Sequence, residues 1–510
     1  MPPVDSQRGG IPRPGRVVPV SLSALAVGHA TVLDGTDLEV SGITASSALV
    51  RRADLFAAVP GRSGHGARFT AQAVAAGATA VLTDPAGRGL VPAGVPVLVT
   101  DDVRAALGDM AATVYGHPSR DLSVLGVTGT SGKTTTTFLV RVGLRAAGLA
   151  SGLIGTVATM IGDESVSTGF TTPEAPETQA LLAVMRERGL RAVAMEVSSH
   201  ALALGRVDGT EFAVGAFTNL SQDHLDFHAD MDDYFAAKAR LFDGRARQAV
   251  IVTDDVWGRR MAAVAGPAAV TVSTTADPQA TWRAVDIAVG DGGQTTFRAV
   301  GPNGSVAAGC AVPGSYNVAN ALLALAILDE VGVPAEVGAP AVASASVPGR
   351  MERVDAGQAF LAVVDYSHKP AAVDGALRAL RPLTRGRLTI VLGCGGDRDR
   401  AKRPLMGDIA ARGADLLIVT DDNPRSEDPS AIRRAMLDGA MAVPAGERGE
   451  VIEIGDRAAA IAAAVERSQG GDTVLIAGKG HEPGQEVAGV VHPFDDRDVL
   501  RAALLTAGAR

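Results

Sequence analysis

The sequence predicts an α/β protein of three domains: a small α/β N-terminal domain, a central domain on a largely parallel sheet, and a C-terminal doubly wound, Rossmann-like domain. Three observations lead there. At 510 residues the chain is longer than one hydrophobic core organises. Apolar strand-like runs alternate with helix-spaced segments, the pattern of parallel sheets covered on both faces. One strand–turn–helix segment carries the glycine-rich turn Thr128-Gly129-Thr130-Ser131-Gly132-Lys133-Thr134.

Composition narrows the class. Hydrophobic residues at 46% and charged residues at 20% describe a globular chain. Aromatics at 4%, with 60 glycines, favour helices packed on sheets over an aromatic-rich β-sandwich. A net charge of −9 argues against nucleic acid as the partner. Cys310 and Cys394 lie far apart without metal-ligand spacing, so a reducing cytoplasm is the simplest setting, a lone buried disulfide being the alternative. No run approaches the ~18 apolar residues of a membrane span, so no membrane is expected. Residues 1–20, rich in Pro, Gly and Arg without an apolar centre, are expected to be a disordered tail and not a secretory signal.

The N-terminal domain is placed at 21–117, with strand-like Thr79 to Thr83 and Val95 to Thr100 around a helical Ala71 to Gly77. The central domain, 118–348, begins with the apolar strand Leu122 to Val127 and the helix Thr135 to Ala147. Further strands are expected at Ala192 to Val197, Phe212 to Phe217 and Gln248 to Thr253, with hairpin turns near Gly290 to Thr296. Ser315 to Val331 reads as a helix with one apolar side. Pro348-Gly349 marks a hinge into the C-terminal domain, 349–510, and Gly116 marks another. Five strand–helix repeats follow, with strands at Phe360 to Val364, Leu388 to Leu392, Asp415 to Thr420, Val451 to Ile454 and Thr473 to Ala477. In such a domain ligands approach the carboxyl ends of the strands.

The glycine turn carries the first chemistry. Its backbone amides can close on phosphate oxygens, and the following helix adds its N-terminal dipole. Lys133 can reach β- and γ-phosphates, and the Thr134 hydroxyl suits Mg²⁺. The strict Walker pattern wants glycine at Val127, and the chain offers Gly126 and Gly129 instead. Two polar clusters follow other strands: Met195-Glu196-Val197-Ser198-Ser199-His200, and Asn219 to His228 with Asp223-His224. A carboxylate ending an apolar strand needs a partner, and Thr134, Glu196 and nucleotide phosphates form a sensible Mg²⁺ shell.

With Gly126 to Thr135, Met195 to His200, Asp223-His224, Gly314 to Asn320, Gly349-Arg350-Met351-Glu352-Arg353 and Asp365-Tyr366-Ser367-His368, the chain resembles the ATP-dependent Mur ligases over nearly everything beyond the tail. Within that family the likeness is to the member adding the third amino acid to UDP-N-acetylmuramoyl-L-alanyl-D-glutamate. The resemblance implies an ADP-forming ligase that couples diaminopimelate to the D-glutamyl γ-carboxylate through an acyl phosphate, acting as a monomer. It implies an ATP site of Gly129, Thr130, Ser131, Gly132, Lys133, Thr134, Thr135, Asn317, Arg350 and Asp365. Lys133, Glu196, His224 and Lys238 would be catalytic, with Thr134, Glu196, His224 and Lys238 holding metal, the lysine as a CO₂-derived carbamate. A bare ammonium would repel Mg²⁺, whereas the carbamate is a carboxylate ligand.

The same resemblance puts the uridine end near Ser47 and the muramoyl dipeptide at Thr171, Thr172, Ser198 and Arg206. Diaminopimelate would meet Arg398, Asp422, Asn423, Pro424, Arg425, Gly478 and Glu482. Arg425 can fork onto the distal carboxylate that lysine lacks. Four positions depart from the family pattern: Ser46-Ser47-Ala48 replaces Asp-Ser-Arg at two of them, Leu204 replaces a glutamine, and Lys369 stands where threonine is frequent, with no consequence the sequence reveals. Rival readings are a neighbouring amino-acid ligase, including a lysine-adding or folylpolyglutamate synthetase-like one, or an inactive nucleotide-binding scaffold. Asp422-Asn423-Pro424-Arg425 argues against the first, and the retained Lys133, Glu196, His224 and Lys238 against the second.

Overall fold

The computed structural model describes residues 11–33, 37–61, 64–275, 277–290 and 293–508. Three sheets organise them. The N-terminal sheet has five strands, ordered Thr31–Leu33, Val97–Val99, Ala78–Thr83, Asp54–Ala57 and Gly42–Thr44, parallel except for the first. Helix Val103–Val114, which the sequence reading did not pick out, packs its apolar face on this core through Ala106, Leu107 and Met110.

The central sheet has 11 strands. Seven run parallel, in the order Ser151–Ile154, Ala192–Glu196, Ser123–Thr128, Phe212–Phe217, Ala246–Val252, Val270–Ser273 and Trp282–Val289. Antiparallel strands extend both ends. The expected turn near Gly290 to Thr296 joins Trp282–Val289 to Thr295–Gly301, although residues 291 and 292 lie outside the described residues. Helix Ser315–Asp329 differs from the expected amphipathic helix. Leu323, Ala324 and Leu325 are as buried as Val318, Leu322 and Ile327, because the helix is sandwiched between the sheet and helices Lys133–Ala146 and Ala335–Ser344.

The C-terminal sheet has six strands, ordered Glu352–Arg353, Leu361–Asp365, Thr473–Ala477, Leu388–Leu392, Leu416–Val419 and Glu450–Glu453, parallel except for the first. The five expected repeats are all present. The chain steps from 361–365 over 473–477 to 388–392, so the order reverses at that point and the loops beyond these strand ends line one crevice. A hairpin, Gly484–Val487 with Val490–Pro493, and a last helix, Asp496–Gly508, complete the domain and were not read from the sequence.

Of the expected tail, residues 1–10 lie outside the described residues, and the remainder is held. Arg13 pairs with buried Asp54 at 2.6 Å, and the Gly15 amide donates to Glu187 at 2.9 Å, so a polar anchor fixes what composition alone reads as loose chain.

Candidate active site

The strand Ser123–Thr128 delivers the glycine turn between two parallel neighbours, one ending in Glu196 and the other in Phe217. Gly129 and Gly132 sit at φ +144° and +87°. A Cβ on Gly129 would lie 1.9 Å from Thr218 Oγ1, and one on Gly132 would lie 2.4 Å from Asn320 Oδ1, so only glycine fits either place. Gly132 caps helix Lys133–Ala146 with no side-chain bond, leaving the first helical amides free for an anion. Lys133 curls back, its Nζ donating to Gly129 O at 2.8 Å and Thr130 O at 3.0 Å. Burial first, and the nearby Lys369 second, bring its pKa down to about 8.

The expected metal-site residues gather around this loop. Glu196 is buried, and its oxygens accept only from Thr156, from N at 2.8 Å and Oγ1 at 3.1 Å. A buried carboxylate without a cation partner among the described residues suits a divalent ion. Lys238 is 1% exposed; its Nζ donates to Gly129 O at 2.8 Å and lies over the Tyr234 ring. Burial, then Lys133 and Lys369, hold its amine well below the usual lysine range. His224, at φ +54°, has Nε2 3.0 Å from Asp223 Oδ2. Burial outweighs Asp223 and takes the imidazole down to about 3, so the ring is neutral near pH 7. The Thr134 hydroxyl accepts from Arg350 Nη2 at 3.1 Å. Among the described residues no three His, Cys, Asp or Glu side chains converge on one point, so a Mg²⁺ shell here would need phosphate oxygens, Thr134 and Lys238 as a carbamate beside Glu196 and His224.

Arg350 comes from the segment entering the C-terminal domain, where its guanidinium stacks over Tyr366. Gly349 before it is at φ +63°, and a Cβ there would meet His481 N at 2.3 Å. Asp365 is occupied internally, accepting from Met351 N at 2.7 Å and from Ser367 N and Oγ. Asn317 donates to Pro313 O at 2.7 Å and is buried at the start of its helix. Thr135 lies in the first turn of helix Lys133–Ala146.

The dipeptide residues form one cluster beside Glu196. Thr171 Oγ1 meets Thr156 Oγ1 at 2.9 Å, and Thr172 Oγ1 donates to Glu196 O at 2.9 Å and lies 3.5 Å from Ser198 Oγ. Arg206 donates to Thr172 O at 3.2 Å, pairs with Glu174 at 2.9 Å and stacks on exposed Phe170. Ser47 stands apart on the N-terminal domain, bonded to Gln72. Glu174, in the run Thr171-Thr172-Pro173-Glu174 that the resemblance places at the dipeptide, is joined here by Thr156 and Phe170, which carried no signal in the sequence.

The C-terminal crevice brings together the remaining residues. Asn423 donates to Glu482 at 2.8 Å and accepts from buried Lys479 at 3.0 Å and the Glu486 amide at 3.0 Å. Gly478 abuts Asp422, where a Cβ would be 2.6 Å from Oδ2. Arg425, at φ +53°, is pinned by backbone bonds to the 484–493 hairpin, and its Nη1 donates to Gly396 O at 2.7 Å. Pro424 O fills the space beside Gly396, and exposed Arg398 lies beside Gly395, on the same side as Arg425. Beneath them Arg457 and Asp496 form a fully buried two-bond pair, both at 2.7 Å. Both cysteines are free and buried, and burial pushes Cys394 up to about 12, an unreactive thiol.

A phosphate loop on a parallel sheet, faced by side chains from a doubly wound C-terminal domain, defines a three-domain nucleotide-using α/β protein. Family models agree segment by segment: "Mur ligase family, catalytic domain" over residues 39–115, "Mur ligase middle domain" over 127–328 and "Mur ligase, glutamate ligase domain" over 349–480. The chain belongs to the Mur ligase family. It is 55% identical over 499 residues, 97% of this chain and 98% of the relative, to UDP-N-acetylmuramoyl-L-alanyl-D-glutamate–2,6-diaminopimelate ligase of Streptomyces coelicolor. The Corynebacterium glutamicum protein of the same name is 54% identical over 90% of each chain. A solved structure of a ligase of that name superposes with TM-score 0.69 at 32% identity, covering 96% of this chain and 99% of the other. An ADP complex of MurF from Thermotoga maritima, at 18% identity and TM-score 0.61 over 91% and 96% of the two chains, shares the fold.

Proposed function

We infer that this chain is an ATP-dependent, ADP-forming ligase that adds diaminopimelate to the γ-carboxylate of UDP-N-acetylmuramoyl-L-alanyl-D-glutamate in peptidoglycan precursor synthesis. The observation that carries the reading is the near full-length identity to ligases of that name, together with the Asn423–Lys479–Glu482 and Arg425 cluster at the sheet's carboxyl ends. We assign residues 21–117 to the nucleotide-sugar end, 118–348 to ATP and 349–510 to the incoming amino acid, in a cytoplasmic monomer.

Residues 129–135 would cradle the phosphates, with Asn317, Arg350 and Asp365 completing the nucleotide site. Thr171, Thr172, Ser198 and Arg206 would hold the dipeptide, and Ser47 the uridine end. The γ-carboxylate oxygen attacks the γ-phosphorus and releases ADP, leaving an acyl phosphate. The amine of diaminopimelate then attacks the carbonyl carbon, and inorganic phosphate leaves the tetrahedral intermediate. Both steps concentrate negative charge, so Lys133 contributes by electrostatics and positioning. Mg²⁺ held by Thr134, Glu196, His224 and carbamylated Lys238 would neutralise phosphate charge. Only the unprotonated amine takes up CO₂, and the burial that lowers the Lys238 pKa favours that form. Arg425, with Arg398 beside it, selects the distal carboxylate, while Asp422, Asn423 and Glu482 face the distal ammonium.

The test is ADP release by purified protein with ATP, the nucleotide-dipeptide and each of meso-diaminopimelate, LL-diaminopimelate and lysine. Turnover that needs both co-substrates and a diaminopimelate isomer supports the reading; equal coupling of lysine overturns the specificity.

A further inference from the structure

Lys369 is the departure from the family pattern that the sequence left without consequence, and the fold gives it a place. It ends the loop after strand Leu361–Asp365 and caps helix Pro370–Leu380. The following proline keeps it extended, at φ −127° and ψ 149°, and its own side chain makes no capping bond. The preceding loop is tied down: Lys402 Nζ donates to His368 O at 2.9 Å, and His368 Nδ1 lies 2.8 Å from Tyr366 O. The Lys369 side chain therefore leaves its own domain and enters the central one.

There it makes two contacts. Nζ lies 2.5 Å from Asp223 Oδ2 and 3.4 Å from Thr130 O. The second acceptor is the same carbonyl that takes Lys133 Nζ at 3.0 Å. Two ammonium groups from different domains thus share one loop carbonyl, with Arg350 beside Thr134 on the same loop. Asp223 is the only carboxylate within ion-pair distance of Lys369 among the described residues, and it also faces His224. Such crowding is unfavourable unless an anion occupies the space between the cations. Lys369 is 14% exposed at its side chain, so solvent screens it little.

We propose that Lys369 is a phosphate-binding residue contributed across the domain boundary: Asp223 holds its ammonium beside the phosphate loop, and it moves onto the terminal phosphoryl group of a bound nucleoside triphosphate. This rests on reading residues 129–135 as the ATP site. Because the contact is to the γ-phosphate, Lys369 distinguishes triphosphate from diphosphate, which a merely structural ion pair would not do.

Binding of AMPPNP and of ADP, each with Mg²⁺, is measured by calorimetry on the wild-type protein, Lys369→Met and Lys369→Arg. The wild type should prefer AMPPNP. Lys369→Met should weaken AMPPNP by about ten-fold, the size of one charge-assisted hydrogen bond, and leave ADP within about two-fold. Lys369→Arg should keep most of the preference. On the wild-type protein, acetylation of Lys369 followed by mass spectrometry should be suppressed by AMPPNP well beyond ADP, a readout that stands if a variant fails to fold. An unchanged preference in Lys369→Met, equal weakening of both nucleotides, or equal protection by both overturns the proposal. A wild type that binds neither nucleotide overturns the ATP-site reading with it.

Discussion

The two chemical regions of this molecule handle buried charge in opposite ways. Around the phosphate loop, Lys133, Lys238 and Lys369 press on one another, and the Glu196 carboxylate is hydrogen-bonded to Thr156 without an ion-pair partner among the described residues. In the C-terminal crevice nearly every buried polar group is already matched: Arg457 with Asp496, and Lys479 with Asn423 and Glu482. The first region crowds like charges that a polyanion and a metal would draw together. The second is a rigid template whose geometry exists before its ligand arrives. Energy for catalysis belongs in the former and discrimination in the latter.

That contrast breaks most readily at Lys133. Lys133→Ala should lower kcat/KM by about 10³-fold or more through loss of transition-state charge stabilisation, read as ADP release, while melting is unchanged or improved because a buried cation is gone. Removing the template's selective group should act differently. Arg425→Ala should lower kcat/KM for diaminopimelate by about 10²-fold, the worth of a desolvated carboxylate–guanidinium contact, and leave lysine coupling untouched. Kinetics with both amino acids check it.

Lys238 offers a sharper comparison between charge forms. Lys238→Ala should cut turnover about 10²-fold, with partial rescue by acetate or formate, and ¹³C-bicarbonate should give a carbamate signal in the wild type only. Absence of both would remove the carbamate from the site. Breaking the template's foundation should cost stability instead of chemistry. Arg457→Met strands Asp496 in the core and should lower unfolding free energy by about 3–5 kcal/mol, measured by urea denaturation.

The smallest effect is a pH dependence. Burial, with Arg350 and Arg497, brings His481 down to about 3 from 6.5. The unfolded chain then binds the proton more readily, so this residue's contribution to stability is full above pH 6.5 and is lost as pH falls toward 3. The melting temperature of His481→Gln should therefore fall less steeply over that range than the wild type's.

Periodicity and turn chemistry were enough for the C-terminal strands and their helices, four central strands and the glycine loop, because those depend on neighbours in sequence: Gly129 and Gly132 announce a tight turn wherever they occur. Central strands Ser151–Ile154, Val270–Ser273 and Trp282–Val289 went unread. They did not reveal helix Val103–Val114 or the 484–493 hairpin, whose role is to hold Arg425 and which has little local signature. The even burial of helix Ser315–Asp329 was equally invisible, since two further helices cover the side that would otherwise face water.

By itself, then, the sequence determined the fold class and the family, and pointed to the residue types proposed to handle phosphate, metal and a second carboxylate. Only the tertiary structure decided that Lys369 crosses into the central domain, that Thr156 caps Glu196, and that Lys479 props Asn423. Each of those contacts joins positions far apart in the chain, or sets a side chain's direction. Local propensity fixes where a backbone turns, and only packing fixes which charges end up face to face.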